Sequence, residues 1–188
     1  MNPSLDFEII LVPIRTHDQP GYDRAMVTHD PAVRRSAEEQ ASLDAALADL
    51  FERRITFNQT LGLVVESASA QGPRIRFDMR PELIGHYLHG RLHGGVISAT
   101  LDAMGGLALM VAIGEHHAHE STAQILHRFS KMGTIDLRID YLRPGVGAHF
   151  IASAEVTRLG GRIGSTQMRL ANEQGSLIAT GTAAYVIS

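Results

Sequence analysis

Cysteine is absent from the 188 residues. Disulfides, thiolate nucleophiles and cysteine-ligated zinc are excluded together. Positive charge is not in excess either. With 17 Lys and Arg against 20 Asp and Glu, a formal net charge of −3 and a pI near 6.3, no nucleic acid and no anionic membrane surface is expected as a partner. The first residues include Asp6 and Glu8 and no basic stretch, which matches neither a secretory nor a mitochondrial leader and leaves the cytoplasm as the expected compartment. Repeats and low-complexity tracts are missing as well. The remainder, 44% hydrophobic and 20% charged, is ordinary for one globular domain with a sizeable core.

Long apolar runs are scarce, with one exception. Val96–Ile113 is 18 consecutive residues in which Asp102 is the single ionisable side chain. A helix apolar on every side belongs inside a protein or a membrane, and this length reaches the lower limit for a span. Ser98, Thr100, the central Asp102, the Gly105–Gly106 pair and the histidine-rich flanks argue against lipid. The expected element is therefore the buried central helix of a soluble domain, carrying one charge. An isolated buried carboxylate is costly and is usually kept for a reason.

His93-Gly94-Gly95 precedes that run. The first N–H groups of a helix lack internal partners, and the helix dipole there favours negative charge. A carbonyl oxygen gaining charge during acyl transfer would be stabilised at such a place. The plainer use of the same glycines is a tight turn into the helix. His93 and Asp102 are nine positions apart, about 13 Å of helical rise and about half a turn of rotation. One copy of the helix cannot bring them together. If both serve one site, that site lies between two chains, which implies a homodimer.

The rest of the chain supplies a frame. Residues 1–35 read as an N-terminal extension with one short apolar run, Phe7–Ile14, of strand character. Ser36–Asn58 reads as a helix, with Ser36 and Glu39 at capping-box spacing and Leu43, Leu47, Leu50 and Phe51 at helical intervals. Leu61–Ala68 and Arg74–Pro81 read as strands around Gln71-Gly72-Pro73. His86, His89 and His93 have metal-ligand spacing only if the segment is helical. Gly85 and Gly90 favour a loop, so no metal and no cofactor is expected. Glu115–Glu120 (EHHAHE) reads as a solvated helix end. From Thr134 onward Ile135, Leu137, Ile139 and Tyr141 alternate with polar residues, and three further strands follow across short turns. Short connections imply an antiparallel sheet, and with the long helix an α+β domain.

The segment HGGVISATLDAMGGLALM resembles the motif of hotdog-fold acyl-CoA thioesterases of the phenylacetate-degradation (PaaI) type, in which HGG opens the central helix and an acid follows nine residues after the His. TIDLRIDYLRPGVGAHFIASAEVTRLGGR and GSLIATGTAAYVI are similar to the family's later strands, and the resemblance covers Leu61 to Ile187. It implies a hotdog domain over 36–188, a long central helix wrapped by an antiparallel sheet. It implies an acyl-CoA substrate and a homodimer or homotetramer with shared sites. By the same resemblance Asp102 is general base or nucleophile, the Gly94 N–H polarises the thioester carbonyl, His93 orients that loop or the substrate, and Gly95 belongs to the substrate-binding loop. Thr134 stands where a Ser or Thr hydroxyl assists the water or carboxylate. An ordinary β-branched strand residue is the alternative for it. Tyr87, which stands where many members carry Asn, and His89 are expected with Gly95 among the substrate-binding residues, and His86 or His89 is left to replace the hydrogen bond of that Asn. Arg91, Arg138, Arg143, Arg158 and Arg162 are candidates for CoA phosphates, none singled out. Two other functions stay open at this point: a hotdog hydratase or dehydratase, and a non-catalytic acyl-CoA-binding dimer.

Overall fold

Ser36 starts the first helix as its spacing predicts. The Ser36 hydroxyl accepts from the Glu39 N–H at 3.2 Å, and the Glu39 carboxylate accepts from the Ser36 N–H at 2.8 Å, opening α1 (Ala37–Asp49). The computed structural model describes residues 34–188. The strand expected at Phe7–Ile14 lies outside them, as does the extension apart from Arg34 and Arg35. The helix expected over 36–58 is broken. It widens into one π-helical turn at Leu50–Arg54, leaves helical geometry at Ile55 and restarts as α2 (Thr56–Leu61). The Asn58 side-chain amide donates to the Phe51 carbonyl at 3.0 Å, repairing a backbone group that the break releases.

Two strands, β1 (Val64–Ser67) and β2 (Arg74–Asp78), pair around the expected turn. Where a loop was expected, a small hairpin forms from β3 (Ile84–His86) and β4 (Arg91–Leu92). The apolar run is α3 (Gly94–His116), and 14 of its 23 residues are buried. Leu101, Met104, Leu107, Leu109 and Met110 are fully enclosed. Burying each such side chain is worth about 1.5–3 kcal/mol, so α3 is held by the sheet despite its carboxylate. After it come α4 (Thr122–Phe129), β5 (Gly133–Tyr141), β6 (His149–Leu159), β7 (Ile163–Asn172) and β8 (Leu177–Val186). The six-stranded sheet has the order β1-β2-β6-β7-β8-β5, antiparallel throughout. The α+β expectation holds, with α3 packed across β6, β7 and β8.

Three local expectations are corrected. α4 is not foreseen, although Ser121 and Gln124 form a second capping box that announces it. The EHHAHE segment is not a solvated end. Arg35 donates to the carbonyls of Gly114, His117 and Glu120, and the Glu120 side chain, 14% exposed, is held by Arg128. The orphan carbonyls of the helix terminus are thus met by a guanidinium. Lastly, Ile135 does not share the inward phase of Leu137, Ile139 and Tyr141 that strand alternation predicts for it. It is the extra residue of a bulge between Thr134 and Asp136 and is 58% exposed. Tyr141 keeps that phase, opposite Ala179, yet is 55% exposed because β5 is an edge that among the described residues pairs with β8 alone.

Candidate active site

The bulge at Ile135 decides where Thr134 points. Simple alternation would put Thr134 on the face opposite Leu137 and Ile139. One extra residue in the strand reverses the phase, so Thr134 faces α3 and donates its hydroxyl to Asp102 Oδ1 at 2.8 Å. Asp102 is half-buried rather than enclosed. Behind it, the Tyr185 hydroxyl donates to the Asp102 backbone carbonyl at 2.9 Å. Burial, reinforced by the Asp102 carboxylate, pushes the Tyr185 pKa upward, so this hydroxyl stays a proton donor. Gly105 makes the approach possible. A Cβ there would collide with the Tyr185 oxygen and lie 2.8 Å from Met168 Sδ. Asp102 and Thr134 open into a cavity of 220 Å³ with Phe51, Phe57, Phe129 and Met132 in its walls.

The second half of the predicted constellation sits at the helix start. His93 is the N-cap residue, and its Nδ1 accepts from the Gly95 N–H at 2.9 Å. That bond assigns the neutral ring a proton on Nε2, free to donate outward. The Gly95 N–H is therefore used within the loop, whereas the Gly94 N–H has no hydrogen-bond partner among the described residues. Tyr141 donates its hydroxyl to the Gly94 carbonyl at 3.1 Å. The loop is clamped by His93 N–H to Leu83 O and Leu92 N–H to Gly145 O, both 2.9 Å. Gly85 packs directly on it, since a Cβ there would lie 2.5 Å from His93 Cα. His93, Gly94 and Tyr141 border a separate cavity of 270 Å³, which Arg91 and Arg143 also line.

Among the described residues one chain does not unite these halves. Asp102 and Thr134 line one cavity, His93 and Gly94 the other, and α3 runs unbroken between them. Tyr87, 85% exposed at the tip of the β3–β4 hairpin, and His89, stacked on His86 at 4.7 Å, line neither. The Gly105–Gly106 pair is covered within the chain and presents no bare patch to another backbone. Gly105 meets Tyr185, and Gly106 faces Phe51 and Met132 of the same chain. A larger cavity of 740 Å³ opens beside the C-terminal half of α3, between Arg74, Glu115, Glu155 and Arg169, and holds none of the predicted residues. His86, His89 and His93 do not form a three-ligand group among the described residues, although the His86 and His89 rings stack. The ligand atoms that do gather, within 4.8 Å of one another, belong to His117, His119 and Glu120. There Arg128 already engages both Glu120 oxygens, and a second cation would meet that guanidinium.

Three site residues escape sequence patterns. Gly85 passes for a loop former, Tyr141 for a member of the apolar phase of its strand, and Tyr185 for part of an apolar run.

Comparison with known proteins decides the family. A profile of the Thioesterase superfamily matches residues 89–179. The medium/long-chain acyl-CoA thioesterase YigI of Escherichia coli (strain K12) is 35% identical over 141 residues, 75% of this chain and 91% of the relative. This chain belongs to the thioesterase superfamily. A crystal structure from Shewanella oneidensis, of a protein related to that superfamily, is 36% identical and superposes with a TM-score of 0.75, covering 79% of this chain and 97% of the other. Thioesterase superfamily member 2 from Mus musculus shares the fold at 19% identity and a TM-score of 0.60, covering 82% and 100%. The expected hotdog fold and the expected enzyme class, a thioesterase, both hold.

Proposed function

We propose that this thioesterase hydrolyses acyl-CoA thioesters to the free acid and CoA, working as a homodimer whose two sites each draw on both chains. The observation that carries the reading is the Asp102 carboxylate, oriented by Thr134 and facing a cavity. Asp102 takes a proton from water as the water oxygen bonds to the carbonyl carbon. Alternatively it attacks that carbon itself, and once the sulfur has left, water hydrolyses the acyl-aspartyl anhydride so formed, releasing the acid and restoring the carboxylate. The Gly94 N–H, without a partner among the described residues at the start of a 23-residue helix, receives the developing oxyanion. His93 Nε2–H stands beside it to orient the thioester. The C–S bond then breaks and the CoA sulfur leaves as thiol or thiolate. Arg91 and Arg143 line the His93 cavity, which supports them over the other arginines as partners of the CoA phosphates.

The edge strand supports the shared site. Thr134 begins β5 at the Asp102 cavity and Tyr141 ends it at Gly94. If β5 pairs with its own copy antiparallel about a two-fold axis at its middle, between Leu137 and Arg138, Thr134 of one chain comes opposite Tyr141 of the other. Each carboxylate then meets the partner's HGG loop. An edge with Ile135, Tyr141 and the following Leu142 about half exposed or more favours such pairing.

The test is incubation with acyl-CoAs from four to sixteen carbons, following release of free CoA thiol. Turnover that survives EDTA is expected. No thiol release across the panel, from protein shown to be folded, refutes the activity.

A further inference from the structure

Resting on the thioesterase reading above, we infer that the cavity behind Asp102 receives the acyl chain of the substrate and that Gly106 sets how long a chain it accepts. The cavity begins at the carboxylate and the Thr134 hydroxyl and is otherwise walled almost entirely by apolar groups. One wall is α3 itself, where Ala103 and Gly106 present almost no side chain. The facing wall is aromatic and sulfurous, with Phe51, Phe129 and Met132. Phe51 and Phe129 meet edge to face, with ring centroids 5.6 Å apart, so that wall is braced. An apolar void opening from a carboxylate suits an apolar ligand whose polar end stays at the mouth.

Size follows from volume. At about 30 Å³ for a group the size of a water or a methylene, a cavity of 220 Å³ accommodates roughly seven such groups. With the carbonyl carbon at Asp102, that corresponds to an acyl chain of about eight carbons. Gly106 lies one turn beyond Asp102 on the same side of the helix. A Cβ placed on it would sit 3.7 and 3.8 Å from two Phe51 ring carbons and 4.0 Å from Met132 Sδ. Those are ordinary contact distances, so alanine fits without displacing the wall and fills space the ligand would use. Gly105, its neighbour, has no such freedom, because a Cβ there collides with Tyr185 and Met168. The sequence pair GG thus has two separate jobs.

The experiment compares wild type with Gly106→Ala and Gly106→Val on butyryl-, octanoyl- and palmitoyl-CoA. In parallel, binding of the thioethers S-butyl-CoA and S-octyl-CoA is measured by calorimetry. The expected result is a fall of about tenfold in the octanoyl-to-butyryl ratio of kcat/KM for the alanine variant and a larger fall for valine, the scale of one methylene in an apolar pocket. The same order should appear in thioether affinity. Equal losses on short and long chains, or an unchanged ratio in folded variants, overturn the assignment. If wild type releases no thiol while the thioether preference still shifts with Gly106, the hydrolytic reading fails and the acyl pocket stands.

Discussion

Thr134 and Asp102 are 32 positions apart and 2.8 Å apart, joined by a hydrogen bond from an edge-strand hydroxyl to a helix carboxylate. The bond exists because β5 carries one residue too many at Ile135. It ties the orientation of the carboxylate to the strand that forms the rim of the sheet.

Asp102→Asn should lower kcat by two to four orders of magnitude, the range for losing a positioned base or nucleophile. Thr134→Val should cost about tenfold, the loss of one hydrogen bond to a charged group, and Thr134→Ser should recover most of it. Steady-state kinetics on folded variants checks all three. Near-normal turnover by the Asn variant removes Asp102 from the chemistry.

His93→Ala and Asp102→Asn chains, each inactive alone, should regain activity when mixed under conditions that exchange subunits. In a mixed dimer one site inherits both lesions and the other neither, so about half of a dimer's activity should return per heterodimer. Confirmed exchange with no recovered activity would rule out sites shared between chains.

Thr100 is wholly buried on α3, and its hydroxyl has no hydrogen-bond partner among the described residues. An unpaired buried hydroxyl costs about 1–3 kcal/mol, and valine has nearly the same shape. Thr100→Val should therefore raise the melting temperature by about 2–4 °C, corresponding to about 1 kcal/mol in a chain of this size. A lower melting temperature would mean the hydroxyl is satisfied in solution.

Acid should loosen the junction between α3 and α4. The Arg128 hydrogen bond holds the Glu120 carboxyl below its ordinary 4.5. Burial, then the charge of Arg128, pushes His117 below its ordinary 6.5, against the opposite pull of Glu120. For both groups the unfolded chain binds the proton more readily, so protonation favours unfolding. The His117 contribution is full above about pH 6.5 and is lost below it, while the Glu120 contribution fades below about pH 4.5. Melting temperature should fall on acidification in these two stages, and His117→Gln should flatten the first. A wild-type curve level from about pH 7.5 to 4 contradicts this.

Features set by local period are legible in the sequence itself. The uninterrupted apolar run specifies α3, Ser36 with Glu39 specifies the start of α1, and alternating residues specify the strands. The nine-residue spacing from His93 to Asp102 shows by itself that one helix cannot unite them. What is not legible depends on counts and contacts made in three dimensions. No pattern marks the extra residue at Ile135 that turns Thr134 inward. Nor does any pattern show that Gly85 lies against His93, or that Tyr185 reaches the carbonyl of Asp102. The break at Ile55 is likewise hidden, since the Asn58 amide that sustains it looks like any surface asparagine.

The collision awaiting a Cβ at Gly105 implies a conflict between robustness and turnover. Alanine in the middle of a helix is worth about 1 kcal/mol over glycine, so helix propensity alone would drive this position to alanine. Accepting it would lift α3 off Tyr185 and carry Asp102 away from Thr134. The enzyme is thus kept from its most stable helix by the same atom-to-atom approach that aims its carboxylate.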